Sequence, residues 1–123
     1  MCLEGGPTNE VVYKIAPAAA WRAALEMSRY EGSADDLRDG FIHFSTAAQL
    51  DGTARKYYCG QRDLLLIAVP TSALGEALRW EPSRGGALFP HLYAALDPAA
   101  ALWSRPLDLD SDGVPAIAQV LGA

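Results

Sequence analysis

The segment Phe41-Ile42-His43-Phe44-Ser45-Thr46 and a second segment, Phe89-Pro90-His91-Leu92-Tyr93, carry the two histidines of this 123-residue chain. Successive side chains of a β-strand point to opposite faces. In the first segment, His43 therefore shares a face with Phe41 and Ser45, while the residues between them point toward a core. The pattern predicts a strand that presents an aromatic ring, an imidazole and a hydroxyl group together.

The second segment predicts a similar strand over residues 88–93. His91 and Tyr93 would share one face, and Leu88 and Leu92 would face the core. Because Pro90 has no backbone N–H, we expect an edge strand or a bulge. If the two strands line one cleft, their imidazoles converge there. The alternative is that each histidine is a core residue whose nitrogens bind backbone groups.

The rest of the chain predicts an α+β fold with short strands and two early helices, and not a doubly wound sheet. A continuous apolar run at residues 64–69 is typical of a central buried strand. Thr46 and Gln49 match a capping box that begins a helix running to about Tyr58. Residues 31–40 are expected to form a polar turn region. Further strands are predicted at residues 11–15, 78–81 and 102–107, and further helices at residues 18–27 and 115–121.

Length and composition predict one domain with one hydrophobic core, because 50% of the residues are hydrophobic and 20% are charged. Residues 1–10 are expected to form a flexible N-terminal tail, and residues 11–123 a single domain. The net charge of −5 disfavours sequence-independent binding to DNA, which depends on a basic surface. A local basic pocket for one phosphorylated ligand remains compatible with this charge.

The cellular context is predicted from features that the sequence does not contain. Cys2 and Cys59 are isolated, which indicates a reducing compartment and no zinc site. No secretory signal is recognised, and no apolar run approaches the roughly 18 residues of a membrane helix. We therefore expect a cytoplasmic protein without membrane contact or bound metal. Phosphate-binding and dinucleotide-binding glycine motifs are absent.

Several polar residues suit the recognition of an anionic ligand. Because imidazole titrates near neutrality, His43 could transfer a proton or orient a ribose hydroxyl. Free N–H groups at the helix start after Thr46 suit an anion. Glu81 could orient a neighbouring group, and Arg55 and Arg84 could meet phosphate charge. The alternative for each is an ordinary cap or a solvated surface side chain.

Five segments occur in an order that resembles an uncharacterised bacterial family known as domain of unknown function 952. The resemblance covers about residues 11–107, and its histidine-containing segments are the most specific. The segments are Val12-Tyr13-Lys14-Ile15, Gly40-Phe41-Ile42-His43-Phe44-Ser45-Thr46, the apolar run at residues 64–69, Leu78-Arg79-Trp80-Glu81 and Leu88-Phe89-Pro90-His91-Leu92-Tyr93.

That family is similar in fold to the ADP-ribosyltransferases and the tRNA 2′-phosphotransferases. The resemblance implies an ADP-ribosyltransferase-like split antiparallel two-sheet core with a few short helices. It also implies a cleft for NAD or an ADP-ribose-like nucleotide. Lys14 stands at a first-strand position where related sequences often carry histidine. Lysine can contact phosphate or hydroxyl groups, but it does not replace imidazole in acid–base work at neutral pH.

The resulting functional hypothesis is ADP-ribosyl or 2′-phosphoryl transfer, with catalytic roles for His43, His91 and Glu81. The residues expected to bind the nucleotide are Lys14, Ser45, Thr46, Arg55, Arg84 and Tyr93. A competing hypothesis is a non-catalytic domain that retains the fold and binds a small molecule or a protein. A third is a purely structural partner domain.

Overall fold

Two three-stranded antiparallel sheets form the framework of the chain, whose computed structural model describes residues 10–121 apart from the side chain of Arg84. In chain order the elements are β1 (Val11–Pro17), α1 (Ala18–Met27), α2 (Ala34–Asp39), β2 (Ile42–His43), α3 (Ala47–Tyr57), β3 (Leu64–Pro70), β4 (Leu78–Pro82), β5 (Leu88–Leu92), β6 (Trp103–Leu107) and α4 (Ile117–Leu121). Short 3-10 turns lie at Thr71–Ala73, Gly75–Ala77, Arg84–Gly86 and Pro98–Ala100. The described part of the chain is thus an α+β structure.

The first sheet has the order β1-β3-β6, with β3 between its two neighbours. Leu66 and Val69 of β3 are fully buried, as are the two residues between them. Both faces of β3 are covered, which explains why its sequence is continuously apolar instead of alternating. The prediction of a central buried strand at residues 64–69 is confirmed.

The second sheet has the order β2-β5-β4, so the prediction that Pro90 marks an edge strand or a bulge is wrong. The Pro90 carbonyl accepts a hydrogen bond of 3.0 Å from the Phe44 N–H. Because Pro90 has no N–H, it cannot donate the second hydrogen bond of a regular backbone pair. Regular pairing with β2 therefore stops at His43, which lies opposite His91. The proline is tolerated in a central strand because its neighbour ends there.

The prediction that Leu88 faces the core is also wrong, since 53% of Leu88 is exposed. Leu88 pairs with Pro82 at the far end of β4, beyond the short strand β2. At that end of the sheet the core no longer covers the side chain. Leu92, at the other end of β5, is buried as predicted.

The two sheets meet directly after β2. Ser45 and Tyr13 exchange backbone hydrogen bonds of 2.8 and 2.9 Å, which join this segment to β1. Thr46 then caps α3, and its side chain and that of Gln49 form the predicted capping box. One short stretch therefore contacts both sheets and begins a helix, which places His43 and Ser45 beside Lys14.

The region at residues 31–40 contains the helix α2, so the prediction of a turn region there is wrong over Ala34–Asp39. Ser33 and Asp36 form a reciprocal capping box at its start. Gly40 ends the helix with a φ of 88°, in the left-handed region that favours glycine. The helix was missed because its box has Asp at the position where Glu or Gln is usual.

The Ser33 cap provides a test of this helix. Ser33→Ala removes the side-chain acceptor for the Asp36 N–H, and we expect it to lower the free energy of unfolding by about 1 kcal/mol. Urea denaturation followed by circular dichroism measures the change. Ser72→Ala, at an exposed turn position, is the control and should leave the midpoint unchanged. Equal midpoints for both variants would show that the cap does not stabilise α2.

Most of the predicted N-terminal tail, namely residues 1–9, lies outside the described residues. Within residues 10–121, no helix combines the length and apolarity needed to cross a membrane. The strands predicted at residues 78–81 and 102–107 are present as β4 and β6, and the helices predicted at residues 18–27 and 115–121 as α1 and α4.

Candidate functional site

His43 and His91 line one cavity of about 460 Å³. Their ring centroids are 5.5 Å apart, and the ring planes meet at 69°. The convergence follows from strand register, since the two histidines are directly opposite each other and opposite side chains on one face lie close together. The volume lies in the usual range for small-molecule sites.

Asp36 is the centre of the first polar cluster, and only 1% of its side chain is exposed. It accepts hydrogen bonds of 2.6 Å from His43 Nδ1 and 2.8 Å from the Ser33 N–H. A third bond of 3.1 Å comes from the His43 N–H. Burial by itself raises the pKa of Asp36, but the His43 hydrogen bond and the Lys14 charge outweigh burial and lower it. The buried group is therefore a carboxylate whose oxygens are well satisfied.

Lys14 forms the buried ion pair of this cluster. Its Nζ lies 2.8 Å from Asp36 Oδ2 and 3.1 Å from Oδ1, and only 4% of the side chain is exposed. Burial lowers the pKa of Lys14, and Asp36 acts in the opposite direction. Lys14 lines the cavity, but its ammonium group is bound to Asp36.

His43 lies between two carboxylates of the same helix. Nδ1 contacts Asp36 at 2.6 Å, and Nε2 contacts Asp39 Oδ2 at 3.0 Å. A hydrogen bond from Arg38 lowers the pKa of Asp39, and His43 contributes in the same direction. The arrangement thus places a carboxylate beside each ring nitrogen of His43.

His91 belongs to a second cluster, on β4 and β5. Its Nδ1 lies 2.8 Å from Glu81 Oε1, and the Tyr93 hydroxyl donates to the same oxygen at 2.7 Å. The hydrogen bond from His91 is the main reason that the pKa of Glu81 is lowered, and Tyr93 adds to it. Glu81 in turn raises the pKa of Tyr93. Because Glu81 occupies Nδ1, Nε2 is the His91 nitrogen that can serve a ligand.

Phe41 connects the two clusters. Its ring stacks on His91, with centroids 4.1 Å apart and an angle of 25°. It also contacts the His43 ring at 4.6 Å and the Tyr93 ring at 5.3 Å. These ring contacts fix the relative orientation of the two imidazoles.

Hydroxyl groups supply further polar atoms of the cavity wall. Ser45 is buried and shares a 3.0 Å hydrogen bond with Thr53. The Tyr58 hydroxyl donates to the Ile15 carbonyl at 3.3 Å, and burial raises the pKa of Tyr58 to about 12. All of these side chains line the cavity.

The structure separates the predicted site residues into two groups. It brings together His43, His91, Glu81, Lys14, Ser45 and Tyr93 around the paired clusters. Two others are engaged elsewhere. Thr46 caps α3, and Arg55 is exposed and pairs with Asp51 at 2.8 Å. The side chain of Arg84 lies outside the described part of the chain.

Sequence reasoning missed Asp36 and Asp39, which hold both nitrogens of His43. The spacing of Ser33 and Asp36 was the one available signal, because it matches a capping box with a shorter acid. A capping residue that also binds a distant lysine and histidine depends on tertiary contacts. No local pattern indicates those contacts.

The fold and site define an α+β protein in which two histidine–carboxylate pairs converge on one cavity. The chain belongs to the family described as "Protein of unknown function (DUF952)", whose model matches residues 15–104. The predicted resemblance to that family is confirmed. No curated protein matches the chain.

Solved structures of protein CC0527 from Caulobacter crescentus are similar to this chain. In its crystal structure, CC0527 has 50% sequence identity to this chain and a TM-score of 0.88. The match covers 92% of this chain and 99% of the CC0527 chain. The match to its solution NMR structure has 50% sequence identity and a TM-score of 0.81. It covers 89% of this chain and 95% of the CC0527 chain. This chain and CC0527 therefore share one fold over nearly the whole length of this chain.

Proposed function

We propose that the cavity binds NAD or an ADP-ribose-like nucleotide, and that its two imidazoles act on the ribose-bearing part of the ligand. The observation that carries the proposal is the pair of rings 5.5 Å apart on one cavity. Each ring is oriented by a carboxylate, Asp36 for His43 and Glu81 for His91. Such carboxylate–imidazole pairs fix the ring tautomer and are a common basis of proton transfer.

The cavity walls suit a ribose next to an aromatic ring. Ser45 and Thr53 offer hydroxyl groups, and Tyr13, Tyr57 and Phe89 offer aromatic surface. A cavity of about 460 Å³ accommodates one end of a dinucleotide more readily than the whole molecule. We also propose that the fold is related to that of the ADP-ribosyltransferases. This relation is supported by two small antiparallel sheets that both contribute residues to one cavity.

Electrostatics favour ADP-ribosyl transfer over 2′-phosphoryl transfer. Phosphoryl transfer depends on cations that are directed at the phosphate oxygens. Among the described residues that line the cavity, Lys14 is bound to Asp36, and Arg38 is bound to Asp35 and Asp39. Cleavage at the ribose C1′ instead develops positive charge on the sugar, as in other glycosyl transfers. Neighbouring carboxylates stabilise that charge.

In the proposed step, an acceptor hydroxyl forms a new bond to the ribose C1′. The bond from C1′ to the nicotinamide nitrogen breaks, and its electron pair leaves with nicotinamide. His91 Nε2 takes up the proton of the acceptor, while Glu81 stabilises the resulting imidazolium through Nδ1. His43 donates from Nε2 to a ligand oxygen and orients the ribose.

Calorimetry of the folded protein with ADP-ribose and with NAD tests the proposed function. We expect saturable binding of both ligands with a Kd below about 1 mM, which corresponds to a binding free energy of about −4 kcal/mol or better. Thermal unfolding in the same buffer verifies that the protein is folded. Absence of any binding heat at millimolar ligand would refute the proposal.

A second candidate is a non-catalytic nucleotide-binding domain. It is favoured by one observation: Lys14 and both nitrogens of His43 are already held by carboxylates. Release of labelled nicotinamide from NAD separates the two candidates. Turnover that disappears in His43→Ala or His91→Ala supports the enzyme. Binding without release in the wild-type protein supports the passive domain.

A further inference from the structure

We infer that Asp39 competes with the ligand for His43 and thereby sets the affinity of the cavity for ligand oxygen atoms. The inference rests on the proposed function, because it requires that His43 contacts the ligand. Asp36 holds Nδ1, so Nε2 is the nitrogen that a ligand can reach. Asp39 Oδ2 lies 3.0 Å from that nitrogen, where an acceptor oxygen of the ligand would bind.

The two carboxylates that hold His43 differ in how easily they can be removed. Asp36 is 1% exposed and also binds Lys14, so its removal would leave buried charge unpaired. Asp39 is 34% exposed, and Arg38 Nε donates to it at 3.1 Å. If Asp39 leaves His43, its carboxylate retains both water and Arg38. An exposed ion pair of this kind is weak.

The backbone around Asp39 is compatible with such a movement. Asp39 is the last residue of α2, where the negative end of the helix dipole disfavours an acid. Gly40 follows it, and apart from its own chain neighbours no atom lies within 4 Å of the position that a Cβ would occupy there. The contact of Asp39 with His43 is therefore the replaceable one, whereas Asp36 remains as the fixed support of the ring.

Any ligand group that takes the place of Asp39 must accept a hydrogen bond from Nε2. A ribose hydroxyl and a phosphate oxygen share this property. Until Asp39 moves, its charge also repels a phosphate. Removing the Asp39 carboxylate should consequently tighten ligand binding, whereas removing the exposed carboxylate of Asp35 on the same helix should have little effect.

Asp35→Ala offers a matched control for Asp39→Ala. Both acids lie on α2 and both pair with Arg38, but of the two only Asp39 contacts His43. We expect Asp39→Ala to bind ADP-ribose about three-fold more tightly than wild type, the order expected for loss of a weak competing ion pair. Asp35→Ala should change the Kd by less than about 1.5-fold. Asp39→Asn, which loses the charge but keeps an amide oxygen, should lie between them.

Calorimetry with inorganic pyrophosphate as a second ligand identifies the displacing oxygen. An equal gain for pyrophosphate assigns a phosphate oxygen, and a gain confined to ADP-ribose assigns a ribose hydroxyl. If wild type binds ADP-ribose and all three variants bind it equally, the competition is refuted while the proposed function stands. If neither wild type nor any variant binds ADP-ribose, both are refuted. Should Asp39→Ala fail to fold, Asp39→Asn decides the comparison alone.

Discussion

Replacing Asp36 by alanine is expected to lower the free energy of unfolding by about 3–5 kcal/mol, the usual cost of breaking a buried ion pair. The variant leaves the ammonium of Lys14 buried at 4% exposure without its carboxylate. It also removes the acceptor for His43 Nδ1 and for the Ser33 N–H. Urea denaturation followed by tryptophan fluorescence measures the loss.

Two further variants isolate the buried pair from a general charge effect. Asp35→Ala removes the same charge from the same helix, but its side chain is 67% exposed, and its urea midpoint should fall far less than that of Asp36→Ala. Adding Lys14→Met to Asp36→Ala removes the stranded cation and should restore part of the lost stability. A loss below about 1 kcal/mol for Asp36→Ala would refute this account of the cluster, because that is the size of a single neutral hydrogen bond.

Low pH should remove the contribution of Asp36 to the free energy of unfolding. The pKa of Asp36 is lower in the folded chain than in the unfolded one, so the unfolded state binds more protons once the pH falls below about 4. Stability from Asp36 is therefore present above pH 4 and lost progressively as the pH falls toward the lower folded pKa. Urea midpoints of Asp36→Asn should depend less steeply on pH in that window than those of wild type.

Replacing His91 by alanine is expected to lower the rate of nicotinamide release from NAD by at least about 100-fold, the lower range for loss of an acid–base group. His91 supplies the proposed proton acceptor, Nε2, while Glu81 holds Nδ1 at 2.8 Å. His91→Asn keeps a group that can still donate to Glu81 but cannot transfer a proton. It should lose as much activity as His91→Ala.

Initial rates of labelled nicotinamide release, with thermal unfolding of each variant, provide this test. Glu81→Gln should lose less than His91→Ala, because it removes the orienting charge but not the imidazole. Arg22→Ala, on the exposed side of α1 and outside the cavity lining, is the control. Rates within about three-fold of wild type for both His91 variants would rule out proton transfer by His91.

Much of the fold follows from local sequence patterns. The apolar run of β3 and the capping box at Thr46 are continuous or closely spaced signals, and the structure contains both. The position of Pro90 is different, because a proline is tolerated in a central strand only where its neighbour ends. That neighbour, β2, has two residues, and its length depends on the switch of the chain to the first sheet.

Part of the candidate site was also predictable from local strand patterns. Strand alternation places His43 beside Ser45 and His91 beside Tyr93, and the register then sets the two imidazoles opposite each other. Asp36 lies 22 residues from Lys14 and seven from His43. Its role arises only when α2 packs against two strands, and an acid inside a short polar segment gives no signal of that packing.

Under the proposed function, both histidines contact one ligand in one cavity. The chain has two histidines, so the imidazole signals of the tag-free protein can be followed individually by NMR during a titration with ADP-ribose. We predict that the signals of His43 and His91 both shift and reach saturation at the same ligand concentration. Saturable binding measured by calorimetry, with neither histidine signal changing, would show that the ligand binds away from both histidines and would refute the proposed site.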